Sequence, residues 1–147
     1  VIAGLLFAAF TFAAVPDPFT DAVTYVAQSG SDRGPMVAIK CGAATNGELS
    51  VVVKSDRPMY RPVIPLVGTY PQRVRFDDRP VATYGFHYDG DAAVLLGTDA
   101  SAFVAEAKTA SVVLLEVDEI GDKVAQLRIP LAGAADSIAR VEQSCRT

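Results

Sequence analysis

Residues 111–131 read SVVLLEVDEIGDKVAQLRIPL, and the pattern of this stretch decides the fold class. Alternation puts Val113, Leu115 and Val117 on one face of a first strand, and Leu127 and Ile129 on one face of a second. A two-residue Gly121-Asp122 loop would set Leu115 opposite Arg128. A three-residue Ile120-Gly121-Asp122 loop instead pairs Val113 with Ile129, Leu115 with Leu127 and Val117 with Ala125, which keeps one face wholly apolar. That register also sets Glu119 opposite Lys123 as a cross-strand charge pair at the rim. The stretch is therefore an antiparallel hairpin with one side built for a core.

Similar turn chemistry divides the chain before it. Met36 to Gly42 and Glu48 to Ser55 flank a loop with Asn46-Gly47, and Val81 to Tyr88 and Ala92 to Gly97 flank Asp89-Gly90-Asp91. Gly and Asn accept positive φ, so both read as hairpins. Asp21 to Ser29 and Gln72 to Asp77 read as further strands, the latter with Val74 and Phe76 inward and Arg73 and Arg75 outward. Ser101 to Ala110 reads as a short helix opened by Asp99 or Ser101 and turning Phe103, Val104 and Ala107 to the sheet. Ala135 to Cys145 reads as a second helix, opened near Asp136 or Ser137. The fold class is mainly β (α+β): an antiparallel β-sandwich or curled sheet of about eight strands with a short helix and a C-terminal helix. Its core is expected to hold Val37, Ile39, Val51, Val53, Phe76, Val113, Leu115, Val117, Leu127, Ile129, Ile138 and Val141.

Length and composition fit one such domain. The chain has 147 residues, 50% hydrophobic and 20% charged, with a mean hydropathy of +0.27. That suffices for one core and falls short of two ordinary domains. Thirteen basic against 17 acidic residues give a net charge of -4, the wrong balance for a nucleic-acid reader. One His and two Cys are too few for a zinc site built from His and Cys alone. No cofactor, metal or small-molecule substrate is expected, and the chain reads as no enzyme.

Val1 to Val15, VIAGLLFAAFTFAAV, carries no charge. Its length suits the apolar part of a signal peptide and is short of a membrane-spanning helix. Residues 1–15 thus read as a signal-peptide remnant or membrane anchor, and 16–147 as a single β-rich domain. Thr11 with Ala13 supply small residues for cleavage, and Phe12 with Ala14 form a less ideal pair. Phe10 to Val15 also reads as a first strand. Contact with the membrane is expected only through residues 1–15, if they are retained.

Cys41 and Cys145 form an even pair behind an export-like segment and read as one disulfide. The alternative is two buried thiols in a cytosolic core. Cys41 shares a strand face with Val37 and Ile39, while Ala134, Ile138, Val141 and Cys145 follow the spacing of one helix face. Both sulfurs then point inward, and a bond between them would contribute about 4 to 5 kcal/mol in the chain-entropy account.

Few residues suggest chemistry. His87 alternates away from Tyr84, Phe86 and Tyr88 and reads as a surface residue; Asp89 or Asp91 would orient it, yet no motif fixes a nucleophile nearby. The acidic turns at Asp89, Asp91, Asp99, Asp118, Glu119 and Asp122 lack the spacing of an EF-hand and read as turn formers. Asp56 to Pro71 holds four prolines and reads as a long loop or an edge. Five of the nine arginines fall between Arg57 and Arg79. Arg75 and Arg79 read as paired with Asp56, Asp77 or Asp78. Arg57, Tyr60 and Arg61 are left as the partner-binding residues, since Arg and Tyr carry much of the energy of protein interfaces.

Four features in order carry a resemblance: Asp17-Pro18-Phe19-Thr20-Asp21 before the first clear strand, Lys40-Cys41 ending an inward-facing strand, Val74-Arg75-Phe76-Asp77 midway, and a last helix closing on Cys145. Over residues 12–147 this layout resembles the VasI-type accessory proteins of type VI secretion and similar small exported proteins of proteobacteria and their prophages. The resemblance implies a periplasmic, disulfide-closed β-domain without known catalysis. The expected function is that of a non-catalytic periplasmic or secreted accessory protein, associated with secretion, whose partner is another envelope or secreted protein. Two other readings stand beside it: a membrane-anchored subunit of an envelope complex, and a small inhibitor of lysozyme-type hydrolases.

Overall fold

The computed structural model describes residues 9–30, 34–57, 59, 69–119 and 123–146. Among these the chain runs β1 Thr11–Pro16, β2 Val23–Gly30, β3 Met36–Gly42, β4 Ser50–Lys54, β5 Tyr70–Phe76, β6 Ala82–Asp89, β7 Ala92–Leu95, α1 Gly97–Ala107, β8 Val112–Glu119, β9 Lys123–Pro130 and α2 Ala134–Cys145. A short 3-10 turn, Ala43–Thr45, links β3 to β4. The strands form one sheet in the order β1-β2-β3-β4-β7-β6-β5-β8-β9, and every pairing is antiparallel.

The sheet curls until its ends meet. The Phe10 amide donates to the Ala132 carbonyl at 2.9 Å, and Ser29 Oγ to the Pro130 carbonyl at 3.3 Å. Curling follows from the accumulated right-handed twist of adjacent strands. It encloses the inner face, where both helices pack. α2 lies against β1, β2 and β3 through Ala134, Ile138 and Val141. α1 sets Phe103 edge-on to Phe76 at 5.0 Å and to Tyr84 at 6.3 Å. All twelve residues expected in the core are buried.

The register of the last hairpin is the one that a single apolar face demands: Leu115 pairs with Leu127, Val113 with Ile129 and Val117 with Ala125. Glu119 does pair with Lys123 in register, but no ion pair joins them. Glu119 follows the parity of Leu115 and Val117, so its side chain turns inward and is buried.

Cys41 and Cys145 are bonded, with their Cα atoms 5.8 Å apart and a sequence separation of 104. The bond clamps the last turn of α2 to β3. Beside it Gly42 has φ 140°, and a Cβ there would lie 2.5 Å from the Val23 carbonyl, so only glycine lets β3 approach β2 at this point.

Several expectations need correction. Phe10 to Val15 follows the strand reading: β1 pairs with β2 from Thr11↔Gln28 to Pro16↔Val23, so a boundary at 15/16 cuts through a strand. Residues 1–8 lie outside the described residues. The proline-rich segment is shorter than expected, because Tyr70 and Pro71 already belong to β5. Pro71 is tolerated where β5 pairs with β6 but not yet with β8, whose pairing begins at Val74. α1 starts at Gly97, and neither Asp99 nor Ser101 caps it. Asp99 Oδ2 instead accepts the Gly85 amide at 2.9 Å, holding α1 to β6. α2 opens on Gly133 at φ 77°, again without a side-chain cap, and Ser137 Oγ donates to the Phe10 carbonyl at 3.3 Å.

Candidate functional site

The inner face changes character towards one end of the curled sheet. On β8 the inward residues run Val113, Leu115, Val117 and then Glu119, and on β5 they run Phe76, Val74 and then Gln72. On β6 the buried Phe86 is followed by Tyr88. Strand alternation thus gathers Gln72, Tyr88, Glu119 and Ser55 at the mouth from which the segment between β4 and β5 departs, and Asp118, of opposite parity to Glu119, is reached there by Gln72.

Each of these polar groups is satisfied. Gln72 Nε2 donates to Tyr88 Oη at 3.0 Å and to Asp118 Oδ2 at 2.9 Å, and the Asp118 amide donates to Tyr88 Oη at 2.9 Å. Tyr70 packs edge-on to Tyr88 at 5.6 Å. Across the mouth, Ser55 Oγ donates to Glu119 Oε2 and accepts the Arg57 amide at 3.2 Å. Buried polar groups joined in this way rigidify the backbone that carries them. Met59 is fully buried, so the segment is also pinned by an apolar side chain.

Of the expected partner-binding residues, Arg57 is exposed two residues from both anchors, Ser55 and Met59. Tyr60 and Arg61 lie outside the described residues. Met59 is the residue sequence reasoning missed: nothing in the composition of a proline-rich stretch singles it out as a side chain that enters the core.

The other arginines are disposed differently from expectation. Arg79 ion-pairs with Glu106 of α1 rather than with Asp56, Asp77 or Asp78. Asp77 is spent on the backbone: in the left-handed region at φ 50°, its Oδ1 accepts the amides of Ser111 and Val112 at 3.0 Å each. Among the described residues Arg75 reaches only the Asp78 carbonyl, at 3.4 Å. Arg73 forms a fork with Glu116, two contacts of 2.6 Å each. The Arg73 guanidinium holds the Glu116 carboxyl below its ordinary value, chiefly through these hydrogen bonds.

His87 sits half-buried on the outer face, as alternation requires. It lines an open groove of about 530 Å³ with Glu48 and Asp89 on its sides. No hydrogen bond joins these groups among the described residues. A second open groove of about 680 Å³ lies over β1 to β3, beside Val15 and a Phe19 that is 95% exposed. No cluster of three or more His, Cys, Asp or Glu side chains able to hold a metal occurs among the described residues, and no helix among them is long and apolar enough to cross a membrane.

No family model and no curated protein matches this chain. Among solved structures it is similar to invasion associated protein B from Bartonella henselae, with a TM-score of 0.58 over 96% of each chain at 13% identity. At that identity the likeness is one of fold.

Proposed function

We propose that this chain is a non-catalytic accessory domain of the bacterial envelope, periplasmic or secreted, that acts by contact with another envelope or secreted protein, in association with secretion. The observation that carries the reading is the exposed Arg57 at the root of the proline-rich segment, held between the Ser55–Glu119 hydrogen bond and the buried Met59. A segment fixed at its root loses less conformational freedom there on binding. The disulfide supports an oxidising compartment. The name of the fold neighbour, invasion associated protein B, suits an exported protein, and the resemblance of the sequence layout to the VasI-type accessory proteins is in keeping with it.

Contact rather than turnover is supported by the disposition of the ion pairs, in which Arg73 meets Glu116, Arg79 meets Glu106 and Lys108 meets Glu142, each pair with at least one side chain more than a third exposed. Catalytic sites instead gather ionisable groups into a cleft that shifts their pKa values. The test is co-purification from the native envelope with wild type and with the triple variant Arg57→Ala, Tyr60→Ala and Arg61→Ala. The variant is expected to keep its melting temperature and lose a partner that wild type retains. An unchanged partner set would count against the reading.

A further inference from the structure

On the outer face of the second half of the sheet, register aligns one row of side chains across three strands. Arg75 of β5 stands opposite Leu114 of β8, and Leu114 opposite Arg128 of β9. Val81, 54% exposed, borders the same shallow depression as Arg75 and Leu114, and Leu114 itself is 37% exposed. The row is therefore apolar, cationic, apolar, cationic. Neither Arg75 nor Arg128 makes an ion pair among the described residues. Glu116, the carboxylate of the next row, is already spent on Arg73.

Two guanidiniums without an ion-pair partner among the described residues, flanking an exposed leucine, call for a ligand with the complementary local pattern. Arg75 and Arg128 are two strand spacings apart, about 9.5 Å. Carboxylates at i and i+7 of an α-helix are about 10.5 Å apart, with i+3 and i+4 between them on the same face. We propose that the row of Val81, Arg75, Leu114 and Arg128 is a docking site for an acidic amphipathic helix of another protein. Its carboxylates at i and i+7 take the two guanidiniums, and its apolar side chains at i+3 and i+4 cover Leu114. The planar fork of arginine suits carboxylates held in this way. An anionic membrane is less well matched, because such surfaces are read by clusters of four to eight basic residues. This site is separate from the Arg57 segment and does not depend on it.

The probe is a helical synthetic peptide with Glu at i and i+7 and Leu at i+3 and i+4, compared with the same peptide carrying Gln for both Glu. The full chain is titrated with each and followed by backbone and Arg side-chain NMR. Wild type is expected to bind the Glu peptide at least tenfold tighter than the Gln peptide, with shifts centred on Val81, Arg75, Leu114 and Arg128. The double variant Arg75→Gln, Arg128→Gln is expected to lose that preference, as is wild type in high salt. Arg57→Ala is expected to bind as wild type does, which separates this site from the proline-rich segment. Equal binding of the two peptides, or shifts centred elsewhere, would overturn the proposal; shift mapping on wild type decides this even if a variant folds poorly. Phosphatidylglycerol vesicles form the second arm: binding to them that is lost in the double variant would assign the row to a lipid surface and overturn it equally.

Discussion

The Phe10 amide donates to the Ala132 carbonyl at 2.9 Å, so the chain entering the first strand is stitched to the chain leaving the ninth. Ser137 of α2 donates to the Phe10 carbonyl, and the Phe10 side chain is buried in the core. Two residues on, Phe12 stacks on Tyr25 at 6.2 Å, and the Arg140 guanidinium lies 4.2 Å from its ring centre. The seam of the curled sheet is thus held by residues of the apolar N-terminal stretch.

Phe10→Ala is accordingly expected to lower stability by about 3 to 5 kcal/mol, the cost of emptying a buried aromatic site. Chemical denaturation of the full chain checks it. A truncation that begins at Val15 is expected to fare worse still, since it also removes four rungs of the β1–β2 pairing. If export removes a leader, intact mass is expected to place the new N-terminus at or before Phe10, and not after Ala13 or Ala14.

Breaking the Cys41–Cys145 bond releases the last turn of α2 from β3. The bridge spans a sequence separation of 104, for which the chain-entropy account gives about 4.7 kcal/mol. Denaturant melts with and without reductant are expected to differ by roughly this amount. Equal midpoints would show that core packing alone fixes α2.

Much of this architecture is legible in the sequence because it rests on period-2 alternation around turn residues. The hairpin of β8 and β9 could be registered from its faces alone, and so could the inward turn of Cys41 and Cys145. What alternation cannot supply is the pairing of strands distant in sequence: nothing in β4 announces that β7, and not β5, is its neighbour. Partners of charged side chains were equally hidden. Arg79 finds Glu106 and Asp77 finds the amides of Ser111 and Val112, because the fold brings α1 and β8 to the β5–β6 turn. Local spacing pointed instead to the nearest aspartates in the chain. Its place opposite Lys123 suggests the rim for Glu119, whereas its parity with Leu115 and Val117 places it inside.

Asp77→Ala is expected to cost about 1 to 3 kcal/mol, because it strips acceptors from two amides at the start of β8. Asp78→Ala, one residue on and exposed, is expected to be nearly neutral. The comparison of the two melting temperatures isolates the role of the carboxylate.

The Arg73–Glu116 fork gives a pH dependence of definite sign. Arg73 lowers the Glu116 carboxyl in the folded state below its ordinary 4.5, so folding favours the ionised form. The stabilisation is present above that ordinary value and is lost as the pH falls through the lowered folded value. Wild type is expected to melt slightly above Glu116→Gln at pH 7, with the gap closing in acid. A gap that widens in acid would contradict the assignment. The effect is small, because Arg73 is well exposed.

Met59 separates the structural from the functional part of the proline-rich segment. Met59→Ala is expected to lower stability by about 2 to 5 kcal/mol, whereas replacing residues 60–68 with a glycine and serine linker is expected to leave the fold cooperative. Denaturation of the two variants, with co-purification of the second, distinguishes anchoring from recognition.

The central claim, that this domain works by contact through the segment rooted at Arg57, is tested most directly by photo-crosslinking in living cells. A photoreactive amino acid is placed at the exposed Asp56 beside Arg57, and a control at Ala139 on the exposed side of α2. Position 56 is expected to yield a discrete adduct with one envelope or secreted protein, absent at 139 and abolished by Arg57→Ala with Tyr60→Ala and Arg61→Ala. No adduct at 56, or the same adducts at both positions, would contradict the account.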